Sequence, residues 1–279
     1  MILLGLASAV AWGAGDFGGG TLARRAPVLG VVTGTQLIGM VFALGVAMLR
    51  GEPAPQGMDL VWSAACGVCG VFGITALYRG LAVGRMGVVA PVTGILAALI
   101  PVTVGFATEG VPAPAVMLGI VAALAAVVLV TRAPAHDDGR SSGLTWALLA
   151  GTAIGLFNVC IGQLSDAGAF GPLVVIRLIQ AAVLGVLLLV TRPAWRVETA
   201  FYGRLLVVGL LDMAGNAAFI FATQAGQLAI ASVLSSLYPV VTVMLAIVLL
   251  RERLSRSHVA GIVLTAAAIV LIGAGTATP

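Results

Sequence analysis

The sequence predicts an all-α polytopic membrane protein of ten transmembrane helices, arranged as two inverted five-helix repeats. Three observations carry that expectation. Of the 279 residues, 61% are hydrophobic and only 9% charged, against roughly 25% charged in ordinary soluble domains. The apolar residues come in blocks of about 18–23, each long enough to cross a ~30 Å hydrocarbon core as a helix, without the alternation of a membrane barrel strand. The second half of the chain also repeats features of the first at a period of roughly 142 residues.

The blocks run approximately over 2–22, 28–49, 59–80, 87–108, 114–131, 144–164, 170–191, 201–223, 228–250 and 257–275. The first starts at Ile2-Leu3-Leu4 with no basic segment before it and no small-x-small cleavage site after it, so it reads as a span and not a signal peptide. The third carries Cys66 and Cys69, a CxxC without a second ligand pair, where i,i+3 spacing places two small side chains on one helix face. The third cysteine, Cys160 in the sixth block, stands alone in the sequence. Pro91 and Pro101 interrupt the fourth block and Pro239 the ninth, and proline frees backbone carbonyls that must be satisfied inside the protein. The fifth and tenth are almost wholly Ala, Val, Leu, Ile and Gly, as expected of helices that pack, face lipid or join a homodimer. The longest connections, Arg50 to Met58 and Arg132 to Gly143, cannot hold a soluble domain, so the helices themselves carry the function.

The halves, 1–135 and 144–279, match in order. Gly119-Ile120-Val121 falls on Gly261-Ile262-Val263, Gln36-Leu37-Ile38 on Arg177-Leu178-Ile179, Glu109 within one residue of Glu252, and Gly13 on Gly155, which sets Asp16 opposite Asn158. Five spans is an odd number, so the second copy enters from the other side of the membrane. Inverted repeats offer two nearly equivalent arrangements around a midplane site, the geometry of a transporter.

All 14 basic residues are arginines, and the net charge is +4. With alternating spans, twelve of them fall on one side, leaving Arg50 opposite and Arg177 within a span. The positive-inside rule then places both termini outside a cytoplasmic membrane. Scattered loop arginines without interleaved aromatics give nucleic acid no site. His136 and His258 lie in or beside loops. No metal-ligand cluster, nucleophile–base pair or cofactor motif is apparent, so no cofactor is expected and the chain does not read as an enzyme. Gly13-Ala14-Gly15-Asp16-Phe17-Gly18 matches G-x-G-x-x-G letter by letter, but a dinucleotide loop needs a strand before it and an acid about 20 residues on. Position 36 is Gln. The glycines offer instead a thin helix face for close packing.

The chain resembles the EamA-type transporters of the drug/metabolite transporter superfamily over essentially its whole length. The resemblance rests on the two five-span copies, Ala11-Trp12-Gly13, the RLIQ of Arg177 to Gln180, and the segment Ser235 to Leu264 with its proline, following glutamate and glycine. Leu96 stands where Pro239 has its counterpart, TEGVP replaces RERLS, and the arginine distribution reverses the family's usual cytoplasmic termini. The resemblance implies export or import of small metabolites by alternating access. Spans one to four and six to nine would surround the path, with five and ten outside it.

An ionisable group at membrane depth costs at least ~2.5–3.5 kcal/mol, which singles out Asp16, Arg177 and Asp212. With Gln36, Asn158 and Tyr238 they form the expected solute site: two pseudo-equivalent polar layers, Asp16/Gln36 and Asn158/Arg177, with Asp212 between them. In the favoured reading a small polar or zwitterionic solute places its acid on Arg177 and its amine on Asp212 or Asp16, one of which could instead carry a coupling proton. The competing reading pairs Arg177 with Asp212, or with Asn216 and Gln180, as a structural brace. Trp12, Tyr78, Phe157, Phe219 and Tyr238 are candidate stacking surfaces. A non-transporting scaffold and a membrane-embedded enzyme are the competing functions.

Overall fold

The computed structural model describes residues 1–84, 86–131, 143–166, 168–250 and 256–277, which form helices joined by loops, with no β-sheet among them. The helices are α1 (Ile2–Ala23), α2 (Val28–Arg50), α3 (Gly57–Val83), α4 (Met86–Thr108), α5 (Pro114–Thr131), α6 (Leu144–Ile161), α7 (Phe170–Thr191), α8 (Tyr202–Gln224), α9 (Leu228–Ser235), α10 (Tyr238–Leu250) and α11 (Arg256–Ala277). A single 3₁₀ turn, Thr199–Phe201, leads into α8. Arg85, Arg132, His136, Arg140 and Glu252 lie outside the described residues.

Six of these helices, α1, α2, α3, α6, α7 and the stretch through α8, are long and apolar enough to cross a membrane. Shorter apolar stretches at 92–108, 114–129, 228–242 and 259–272 occupy α4, α5, α9–α10 and α11. Helix ends fall where the backbone cannot continue. Gly51 closes α2 with φ 63°, donating to the carbonyls of Ala47 and Met48, and Arg192 closes α7 in the same left-handed region just before Pro193.

Of the two expectations about proline, that for Pro239 holds and that for Pro91 and Pro101 is corrected. The ninth block is two helices, α9 and α10, separated at Ser236-Leu237. Pro239 has no N–H to return to the Ser235 carbonyl and its ring crowds the residue before it, so the helix stops and restarts. In contrast α4 is one helix from Met86 to Thr108 and runs through both Pro91 and Pro101.

Packing crosses between the halves. The principal partners of α1 are α8, α9 and α10, and those of α6 are α3 and α4; α2 meets α7 and α8, α3 meets α7, and α5 pairs with α11. The same exchange is visible atom by atom. Thr93 donates to the carbonyl of Ala147 at 3.3 Å, and Ser235 to that of Gly5 at 3.4 Å, both members shifted by the period of the sequence repeat. A Cβ on Gly67 would meet the Ile176 carbonyl and Ile179, while one on Gly209 would meet the Thr35 carbonyl and Ile38. These crossings therefore require glycine, because the facing backbone occupies the space of a side chain.

The glycine face of α1 is used in this way. A Cβ on Gly13 would come within 2.5 Å of the Tyr238 carbonyl, on Gly18 within 2.8 Å of Val208, and Gly19 lies against the Tyr78 ring. GAGDFG is thus a packing surface for α10 and α8, which Gly19 extends to α3, with Asp16 within it. Of the candidate stacking rings, Tyr78 and Phe219 are buried in the helix packing, Phe219 lying 5.4 Å behind Trp12.

Candidate functional site

One cavity lies among these crossings, and its wall takes residues from both halves. The space it offers to the centres of water-sized molecules is about 70 Å³. All six residues singled out in the sequence, Asp16, Gln36, Asn158, Arg177, Asp212 and Tyr238, line it. The residues of both expected polar layers, and Asp212, thus border one chamber.

Arg177 and Asp212 are bonded to each other. Arg177 Nη2 donates to Asp212 Oδ2 at 2.6 Å and Nη1 to Gln180 Oε1 at 3.0 Å, with the arginine side chain 3% and the aspartate side chain 17% exposed. Asn216 Nδ2 donates both to the Asp212 backbone carbonyl at 2.6 Å and to Oδ1 at 3.2 Å. The remaining guanidinium nitrogen, Nε, has no partner and lies 3.2 Å from the position a Cβ would take on Gly39, so α2 covers it. The positive charge is committed within the protein.

Asn158 is held by a proline. Pro101 lacks the N–H that would bond to the carbonyl of Ala97 one turn earlier in α4, and Asn158 Nδ2 of α6 donates to that carbonyl at 3.1 Å. With the nitrogen fixed in this way, the free end of the amide is Oδ1, which is buried and without a partner. Gln36 Oε1 and the Tyr238 hydroxyl are likewise buried and unpartnered.

Asp16 has no hydrogen bond or ion pair among the described residues. It is partly exposed, on the cavity wall. If all three ionisable side chains are charged, Asp16, Asp212 and Arg177 leave one net negative charge in the chamber, and that charge belongs to Asp16. Trp12, Phe157 and Tyr238 supply aromatic wall beside it.

Sequence reading missed the partner of Asn158, the role of Ser236 in the wall, and the position of Cys160. Cys160 is not alone: it shares one buried cluster with Cys66, with Cys69 packed against it, where α3 and α6 cross. Even so, no three His, Cys, Asp or Glu side chains are disposed to hold a metal ion among the described residues.

At the end of the bundle that carries the N-terminus, loops are tied by side chains. Glu52 accepts from the backbone N–H groups of Phe170 at 2.7 Å and Gly171 at 3.2 Å, capping α7, and also pairs with Arg50 at 2.8 Å. Burial pushes the Glu52 carboxyl up, but the Arg50 bond, these two backbone donors and the Arg50 charge outweigh it and hold the group below its ordinary value. Asp59 accepts from the Ser165 backbone at 3.0 Å and its hydroxyl at 2.5 Å, and Gln224 Nε2 donates to the carbonyls of Ser165 and Gly168. Glu109, the repeat counterpart of Glu252, caps α9 by accepting from Leu228 N–H at 3.1 and 3.2 Å.

A polar chamber walled by both halves of an apolar bundle is the setting in which the family comparison becomes decisive. The sequence model of the EamA-like transporter family matches residues 1–132 and 141–274. The chain belongs to the EamA-like transporter family. A solved structure titled only "Crystal structure of protein" superposes with a TM-score of 0.77 at 17% identity, covering 96% of this chain and 94% of that one, so the EamA fold is shared. No curated protein sequence matches this chain. This EamA protein is accordingly a membrane protein of a transporter family, in the drug/metabolite transporter superfamily.

Proposed function

We propose that this protein is a secondary transporter that carries a small polar or amphipathic solute across the cytoplasmic membrane by alternating access. The observation that carries the reading is the chamber itself: its polar side chains come from α1, α2, α6, α7, α8 and α10, hence from both halves. Two halves that can rock about a shared site are what alternating access requires. The exchanged contacts, with hydrogen bonds from Thr93 and Ser235 recurring at the repeat period, support two inverted five-helix units and ten spans. Arginine distribution supports both termini outside, and the loop contacts of Glu52, Asp59 and Gln224 would then close the outer end.

Asp16 is the group we assign to solute or coupling proton, because it alone of the three charges is unpaired. Export by exchange with protons is the favoured direction. The Arg177–Asp212 pair is assigned to the structure of the wall, and the outward faces of α5 and α11 to lipid or to a second copy of the chain.

The test is flux into proteoliposomes under an imposed pH gradient. A transporter shows gradient-dependent flux that Asp16→Asn abolishes while the purified variant keeps its elution profile and melting temperature. A scaffold shows no flux and tolerates neutralisation of Asp16, Arg177 and Asp212 together.

A further inference from the structure

The chamber's charges are unequally committed, Arg177 and Asp212 to each other and Asp16 to no partner among the described residues. Among the chamber's groups without a hydrogen-bond partner are the Asp16 carboxyl and the buried acceptors Asn158 Oδ1 and Gln36 Oε1, together with the Tyr238 hydroxyl, which can donate or accept; the donors without one are the neutral amide nitrogens of Gln36 and Gln180 and the Trp12 indole. The one strong cation has both terminal nitrogens engaged, by Asp212 and Gln180, and its third lies under Gly39. An anionic ligand would therefore have to break a 2.6 Å ion pair whose arginine is almost fully buried. Taking one partner from a buried pair costs about 3–5 kcal/mol.

We infer that the chamber selects organic cations bearing N–H donors, an amine or guanidine on a small apolar body, over anions and zwitterions. The inference rests on the transport reading of the same chamber. Such a cation neutralises the single unpaired carboxylate, and its N–H groups reach the amide oxygens that have no protein donor. Asn158 is a particularly selective acceptor, since its nitrogen is fixed on the Ala97 carbonyl and the amide cannot turn over to offer a donor instead. Trp12, Phe157 and Tyr238 line the same chamber, and aromatic rings attract a desolvated cation and shield its apolar body.

The experiment uses the purified full chain and four ligands of similar size: benzylguanidine, which stays charged at neutral pH, benzyl alcohol, benzoate and phenylalanine. Binding is read from tryptophan fluorescence, since Trp12 lines the chamber, and from the shift in melting temperature. Benzylguanidine should bind more tightly than each of the others by about tenfold or more, and Asp16→Asn should remove that preference. Equal or tighter binding of benzoate or phenylalanine overturns the inference, as does no response to benzylguanidine. The ligand series on the unmodified protein decides the matter even if Asp16→Asn fails to fold. Labelled flux then separates the two readings. A cation that binds selectively but is not carried supports the ligand class and overturns transport; preferential carriage of an anion or zwitterion supports transport and overturns the ligand class.

Discussion

Replacing Asp212 by Asn isolates the brace from the site. The variant keeps the shape of the side chain and its bonds to Asn216, but leaves the Arg177 guanidinium, 3% exposed, with Gln180 as its sole side-chain partner. Two unit charges about 4 Å apart interact by about 4 kcal/mol at an effective dielectric of about 20. That agrees with the measured range of about 3–5 kcal/mol for orphaning one member of a buried pair. In detergent the expected loss of melting temperature is about 5–15 °C. Arg177→Gln should behave similarly, because it strands the carboxylate. The combined Arg177→Gln/Asp212→Asn variant restores a neutral pair, so it should be more stable than either single variant, with a coupling of about 2 kcal/mol or more. Additive losses within about 0.5 kcal/mol would refute the claim that these two side chains serve each other. So would a single variant with an unchanged melting temperature.

Gly13→Ala places a methyl 2.5 Å from the Tyr238 carbonyl and 2.6 Å from Val241, and should destabilise by about 1–3 kcal/mol. Gly45→Ala, with nothing within 4 Å, should leave the melting temperature unchanged or raise it slightly, since alanine favours helix by about 0.5–1 kcal/mol. Asn158→Leu orphans the Ala97 carbonyl and should cost about 1–3 kcal/mol, a loss that adding Pro101→Ala should partly recover in the same thermal assay. Glu52 has a folded-state pKa below its unfolded value, so its contribution is complete above the unfolded value and vanishes as pH falls through the folded one. The melting temperature of the native chain should therefore drop more steeply on acidification below the ordinary carboxylate range than that of Glu52→Gln.

The blocks and their charges were readable because the bilayer penalises polar groups so heavily that Asp16, Arg177 and Asp212 could not be incidental. They line one chamber with Gln36, Asn158 and Tyr238, and the offset of about 142 residues in the sequence already sets Asp16 opposite Asn158. Which charge is free was not readable. Whether Arg177 meets Asp212 or a solute depends on rotamers and on the closeness of α2 at Gly39, and no spacing encodes that. The link from Asn158 to Ala97 was hidden for a different reason. Pro101 announces a missing hydrogen bond in α4, but the group that replaces it lies on another helix, and chain order does not say which helices cross. The same holds for Cys160, which the α3–α6 crossing brings into one buried cluster with Cys66, Cys69 packing against it.

The proline in α4 has a consequence for heredity as well as for mechanics. Pro101 is absent from the cavity wall, yet it decides which end of the Asn158 amide faces inward. A codon change to any residue with a backbone N–H would let α4 close its own ladder and release that nitrogen. The chamber would then gain a hydrogen-bond donor without a single change among the residues that line it. Solute preference in such a lineage could drift through a position that inspection of the cavity alone would pass over.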